Sequence, residues 1–249
     1  MKQYILPNGK PFAYWEDQTA YQKVLHVSQK QGTLDGDGSE KKPFLTIAQA
    51  VPFATPGTKV VIHEGVYRET VRPVFSGKSA TEMVMFCGAE GEQVEITGAE
   101  IFCGDFKESE GWKKQESTIQ DQWDFTQKDA KVYMAKFDRN SFVGVNPFSM
   151  ANGPLIPWYG FTIGKLYHAK HTRSQRTTTL RRGMLFCDGK RMEQVINYYQ
   201  LGEQDNRFYV EDDGLTFHIR FPNDTAPEEH HLEFTAREQC FCPEEKYFS

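Results

Sequence analysis

No stretch of this sequence approaches the roughly 20 apolar residues of a membrane-spanning helix, so no membrane partner is expected. The first fifteen residues, MKQYILPNGKPFAYW, hold a single early lysine and no apolar block of the kind a secretory leader needs. A cytoplasmic protein is the plain reading, although a chain beginning after a removed leader starts the same way. Positive charge is not in excess either. The 29 Lys and Arg against 34 Asp and Glu leave a formal charge of −5, which argues against a nucleic-acid partner because phosphate binding rests on clustered cations. Cysteine is sparse and odd in number. Cys87, Cys103, Cys187, Cys240 and Cys242 lack the even, dense spacing of a disulfide framework. Cys240-x-Cys242 has no second Cys or His pair at zinc-ligand spacing. The cysteines therefore read as small, mostly buried thiols, with no metal and no cofactor expected.

What the sequence has is hydrophobic and aromatic mass, 39% and 14% of 249 residues, enough for one large domain or two small ones. The chain is organised around residues 42–71, KPFLTIAQAVPFATPGTKVVIHEGVYRETV. Thr46 caps a helix expected to run through Ala54, with Ile47, Ala50, Val51 and Ala54 on one face. Pro56-Gly57 stops it, since proline cannot continue a helix and glycine accepts positive φ. Lys59 to His63 is a β-branched run suited to a buried strand. Glu64-Gly65 turns the chain, and from Val66 to Val71 the positions Val66, Arg68 and Thr70 alternate with Tyr67, Glu69 and Val71. Helix, turn, buried strand, turn, strand is the order of a first coil of a right-handed parallel β-helix, with the helix as its plug.

Before this stretch, residues 1–23 read as an irregular arm and Val24 to Ser28 as a first strand. Asp35-Gly-Asp37-Gly-Ser39 mimics the start of a calcium loop, but the position that demands a bidentate Glu is Thr46, so a turn is read there. After it, the strand-then-glycine pattern returns at Met83–Gly88 and Val94–Gly98, whose first residues follow at steps of 24 and 11. The larger step fits a full coil and the smaller a move to the next face of that coil, as in a solenoid that hides each apolar face by stacking. The echo stops near Glu100. Residues 100–230 instead carry Trp112, Trp123 and Trp158 and short β-like runs at 131–137, 183–187, 207–210 and 215–221, divided by Asp188-Gly189 and Asp212-Asp213-Gly214. They read as an inserted antiparallel β-sandwich. His231 to Arg237 again resembles a solenoid strand. The expected layout is all-β: arm 1–23, coils 24–99 with a capping helix about 46–54, insertion 100–230, and return 231–249.

Layout and wording together resemble glycoside hydrolase family 120, β-xylosidases built as a β-helix with an inserted β-sandwich. The resemblance is carried by DGDGSEKKPFLTI (35–47), VVIHEGVYRE (60–69), AEGEQVEITGAE (89–100), NSFVGVNPF (140–148), LFCDGKRMEQV (185–195) and HLEFTAREQCFCP (231–243). It implies an enzyme acting on short xylo-oligosaccharides or related glycans. It also implies that both catalytic carboxylates lie on later coils that nothing here matches, so that the catalytic residues of this chain are unknown. The chain then reads as the amino-terminal part of such an enzyme. Its last coil would be uncapped, so it is expected either to self-associate or to require the missing coils. A non-catalytic glycan-binding or assembly module and a polysaccharide lyase remain alternative readings.

Among candidate residues, the resemblance places Trp158, after Asn146-Pro147-Phe148, where the family has a tryptophan facing the sugar. An indole face stacks well on the C–H face of a pyranose, and Pro154 and Pro157 favour displaying the ring. The alternative is a core tryptophan. Tyr159 is a neighbouring candidate, and Asn146 is read as holding the loop more than a sugar. Glu64, Glu69 and Glu95 lie beside apolar strands and are read as ordinary outward carboxylates. His168-x-x-His171 sits among Lys170, Arg173, Arg176, Arg181 and Arg182, a cationic run that repels a metal and reads as a solvated loop.

Overall fold

The computed structural model describes residues 5–11, 17–109, 129–150, 180–196 and 198–243. Among the described residues the chain is all-β, with helix confined to single turns. It divides into two compact units, Met1–Thr97 with Cys240–Ser249, and Gly98–Gln239.

In the first unit, strands β1 (Lys23–Val27), β2 (Thr58–Ile62) and β4 (Met85–Gly88) form a parallel sheet in the order β1-β2-β4. A second parallel pair joins β3 (Gly65–Tyr67) to β5 (Val94–Ile96). The short step in the sequence echo thus leads to a different sheet: β4 lies on β2, while β5 lies on β3. Alternation along β2 buries Thr58, Val60 and Ile62, and the last two meet Leu25, Val27, Ile47 and Tyr67 in one core.

The expected helix to Ala54 is shorter. An α-helical turn, α1 (Ile47–Ala50), passes into a 3-10 turn at Val51–Phe53. Pro52 has no N–H to give the carbonyl four residues back, so the ladder tightens there. Thr46 does cap α1, in a reciprocal box with Gln49. The strand expected over Val66 to Val71 is also shorter. Tyr67 and Val71 keep their buried places, but Glu69 turns to accept hydrogen bonds from the Ile47 and Ala48 amides at 2.9 and 2.8 Å. A carboxylate there serves both the orphan donors and the positive end of the turn.

Among the described residues the second unit has two sheets. One, in the order β10-β9-β14-β6, joins β6 (Ala99–Ile101), β9 (Leu185–Cys187), β10 (Lys190–Arg191) and β14 (Leu232–Thr235). The other, in the order β11-β12-β13-β8-β7, joins β7 (Lys107–Glu108), β8 (Tyr133–Lys136), β11 (Glu193–Gln194), β12 (Arg207–Val210) and β13 (Thr216–Arg220). Every pairing is antiparallel except β11 with β12.

Residues 231–237, read as a return to the solenoid, pair otherwise. β14 is antiparallel to both β9 and β6. Only at Cys240 to Cys242 does the chain rejoin the first unit, where Val71 exchanges backbone hydrogen bonds with Cys240 and Cys242 at 2.8 Å. Leu185, Leu232 and Phe234 from one sheet and Phe208, Phe217 and Ile219 from the other share a single core. Phe137 is its hub, with ring centroids 4.4 Å from Phe217, 4.5 Å from Phe148 and 4.8 Å from Phe234.

Candidate functional site

Asn146 starts the 3-10 turn Pro147–Ser149. Its Oδ1 accepts from the Phe148 amide and its Nδ2 donates to the Gly214 carbonyl, both at 2.8 Å. Both ends of the side chain are thus spent on backbone, and Asn146 holds the loop. The anchor continues as Phe148 sinks into the core and the Arg182 and Gly183 amides donate to the Met150 and Pro147 carbonyls at 3.0 and 3.2 Å. Gly183 permits this approach, because a Cβ there would lie 2.4 Å from the Phe148 ring. The chain therefore leaves at Met150 and returns at Leu180 through one clamped neck. Trp158, Tyr159, His168 and His171 fall between and lie outside the described residues.

The neck carries an ion pair. Arg181 is buried, donating through Nη2 to Asp212 at 3.3 Å while its amide donates to Gln194 Oε1. Asp212 stands 48% exposed while Arg181 is enclosed, so the pair shows a carboxylate, and not the guanidinium, at the surface. Asp213 is engaged by its neighbours. Burial pushes its carboxyl up, but hydrogen bonds from the amides of Thr216 and Leu215 and from the Thr216 hydroxyl outweigh this and hold it below the usual range.

On the face of the five-stranded sheet turned from the Phe137 core lies a second constellation, absent from the sequence reading. Ser109 Oγ is 2.6 Å from the Tyr198 hydroxyl and 2.9 Å from His218 Nδ1, and that hydroxyl is 2.5 Å from the same nitrogen. His218 Nε2 lies 2.8 Å from Glu211. Burial lowers the His218 pKa by more than Glu211 raises it, so the ring is neutral. Its Nε2 proton then goes to Glu211, an acceptor-only carboxylate, and Nδ1 accepts. Burial pushes the Tyr198 phenol up to about 12, so it remains a donor.

Serine, histidine and carboxylate in line are the ingredients of a nucleophilic triad. Ser109 and His218 are only 5% and 3% exposed, however, so the arrangement ties β7, β12 and β13 to the Tyr198–Gly202 turn. Arg220 reinforces this layer with a two-pronged pair to Asp224 at 2.7 and 2.8 Å. No sequence signal announces such a network, because Ser109 and His218 lie 109 residues apart.

The first unit's carboxylates have local duties. Glu69 serves α1, and Glu64 pairs with Lys30 at 2.5 Å. Glu92 accepts from the Glu64 amide at 2.6 Å and meets His63 at 3.1 Å, while His63 stacks on His26 with ring centroids 5.4 Å apart. The calcium-like loop is a turn in which Asp37 accepts from the Ser39 amide and Asp35 pairs with Lys42.

No protein-family model matches the chain. Over 77 residues, 31% of its length, it is 38% identical to a Bacillus subtilis (strain 168) protein described as "Uncharacterized protein YwoF", of which it covers 16%. Among solved structures, the complex of XylC with xylose matches 89% of this chain with a TM-score of 0.63 and 23% identity. The chain spans 33% of the length of that XylC chain. A structure described as a glycoside hydrolase matches 88% of this chain and 47% of its own, at a TM-score of 0.44 and 11% identity, too remote to bear on the fold. The likeness to XylC is one of fold, and it extends over both units.

Proposed function

We propose that this chain forms part of a glycoside-hydrolase-like protein acting on short xylo-oligosaccharides or related glycans, as the opening coils of a right-handed parallel β-helix with an inserted antiparallel β-sandwich. The observation that carries this reading is the fold shared with XylC over 89% of the chain. XylC is a protein seen with xylose bound, and family 120 is the group that the local wording resembles. The parallel β1-β2-β4 and β3-β5 registers support stacked coils, since each coil hides its apolar face only against the next.

In this reading the clamped neck presents Trp158, and Tyr159 beside it, to a pyranose. Asp212, half exposed and held by Arg181, accepts from its hydroxyls. The acid/base and nucleophilic carboxylates come from coils that the matching segments do not include.

Titration of the chain with xylose and xylobiose, followed by NMR, tests the proposal. Saturable chemical-shift changes are expected, weakened about tenfold in Trp158→Ala, the loss of one aromatic contact of about 1–1.5 kcal/mol. The melting temperature should stay near that of the parent. A core tryptophan gives the opposite pair of results, a fall of many degrees from about 3–5 kcal/mol of lost packing with sugar binding unchanged. Hydrolysis of an aryl xyloside by this chain, abolished by one Asp or Glu substitution within it, would place the catalytic pair here and overturn the assignment to other coils.

A further inference from the structure

In sequence, neither Cys240 with Cys242 nor His168 with His171 has the surroundings of a metal site. The second unit brings together a different set. The turn between β9 and β10 is the two-residue hairpin Asp188-Gly189, with φ of 50° and 73°, values that suit a type I′ turn and the right-handed strand twist. It sets the Cys187 thiol and the Asp188 carboxylate on one side. His231 donates its amide to Asp188 Oδ1 at 2.9 Å, leaving Oδ2 to the two other side chains. His230 Nδ1 lies 2.7 Å from that Oδ2, and Cys187 Sγ lies 3.7 Å from it. All three atoms fall within 4.8 Å of one another.

We propose that Cys187 Sγ, Asp188 Oδ2 and His230 Nδ1 form a three-ligand site for a divalent transition-metal ion of zinc type, with the fourth position open to water. A tetrahedral zinc site with bonds of about 2.0–2.3 Å places its ligand atoms about 3.3–3.5 Å apart. The sulfur–oxygen separation is already near that value, and the nitrogen–oxygen pair has to open by roughly half an ångström to admit the ion.

The surrounding groups fix the imidazole as a ligand. Thr225 Oγ1 lies 2.6 Å from both the Pro222 carbonyl and His230 Nε2. The hydroxyl gives its only proton to the carbonyl and so accepts from Nε2–H, while Nδ1 faces Asp188 Oδ2 and shares a proton with it until an ion takes that place. Phe221 stacks on the ring at 4.9 Å and 1°, fixing its plane. A hydrogen-bonded remote nitrogen and a fixed ring are what metal-bound histidines use to hold orientation. The ion takes the place of two protons, the thiol's and the one between His230 Nδ1 and Asp188 Oδ2, and both leave to solvent; with a thiolate in the set a hard cation such as calcium is a poor match and a borderline-soft one a good match.

Titration of the whole chain with Co²⁺ tests this site. A thiolate-to-cobalt charge-transfer band in the near ultraviolet is expected, with visible bands of tetrahedral strength, both erased by one equivalent of Zn²⁺. Cys187→Ser should abolish the ultraviolet band, and His230→Gln and Asp188→Asn should each weaken binding at least tenfold. Thr225→Val should keep the band and weaken binding about tenfold. Asp188→Asn tolerates the left-handed backbone, so a Cys187 variant that misfolds leaves two others to decide. Absence of the band, or its persistence in Cys187→Ser through other thiols, overturns the proposal in favour of an Asp188–His230 ion pair that merely closes the hairpin.

Discussion

The two units hide apolar strand faces by opposite means. In the first, parallel strands stack at similar steps along the chain, and the core between them is mostly aliphatic: Leu25, Val27, Ile47, Val60, Ile62 and Val71, with Phe44 and Tyr67. In the second, antiparallel strands distant in sequence are gathered around phenylalanine. Phe102, Phe106, Phe137, Phe142, Phe148, Phe217, Phe221 and Phe234 form one connected set of ring contacts. A stacked coil repeats small contacts, so no single side chain dominates. A core built on one ring concentrates its packing there, since large rings bury more area and prefer defined geometries.

The largest test of that difference is Phe137→Ala, which should cost about 3–5 kcal/mol in denaturant unfolding. Ile62→Val in the first unit should cost only about 0.5–1.5 kcal/mol. A loss below 1 kcal/mol at Phe137 would show that the rings do not act through a hub.

Next comes a pair of glycines with similar backbones. Gly57 has φ of 79° and open space around it, whereas Gly214 has φ of 65° and a Cβ there would meet the Ser149 backbone at 2.7 Å. Gly57→Ala should cost about 1–2 kcal/mol, the strain of the left-handed conformation alone. Gly214→Ala adds an overpacking penalty of about 1–3 kcal/mol and should loosen the Asn146 anchor, read as weaker sugar binding. Equal costs at the two sites would remove the neck from the argument.

Glu69→Ala should cost about 1–2 kcal/mol, the loss of a helix cap, with no effect on sugar binding. A loss of binding with unchanged stability would make Glu69 a ligand group and not a cap.

The smallest effect is on pH dependence. His218 and His26 both have pKa values lowered in the folded chain. For His218 the main cause is burial; for His26 it is burial followed by the neighbouring His63. The unfolded chain, titrating near 6.5, then binds more protons than the folded one as pH falls. Stability from each neutral ring is therefore full above that pH and lost as pH falls toward the folded value. Melting temperatures between about pH 8 and pH 5 should fall on the acid side. His218→Gln should flatten that fall more than His26→Gln, because only His218 is fully enclosed. The reverse order would mean that the His26–His63 stack dominates.

Much of the first unit is legible in residues 42–71 because its signals are local. The Thr46 cap, the turn at Pro56-Gly57, the β-branched run of β2 and the repeated strand-then-glycine pattern each act within a few residues, although the helix itself ends earlier, at Pro52. The second unit is legible as short strands and turns, including Asp188-Gly189, but not as an arrangement. Phe234 of β14 has Leu185 on one side and Glu100 on the other, and nothing local to residues 231–237 distinguishes that from a solenoid strand. The same holds for the candidate sites. Asn146 reads as a loop holder because an asparagine before proline caps a turn, but its second partner, Gly214, is a tertiary fact.

By itself the sequence determined an all-β chain, the place of the helix cap, most of the turns and the alternation that decides which strand faces are buried. These follow from backbone sterics and residue spacing, which operate within a few residues of each position. The tertiary structure alone decided which strands are neighbours. It also decided that Glu69 turns to α1, that Ser109 meets His218, and that Cys187 and Asp188 meet His230. Those outcomes depend on closing long loops, whose entropic cost is recovered only when distant apolar faces pack together, and no short window of sequence contains both sides of that balance.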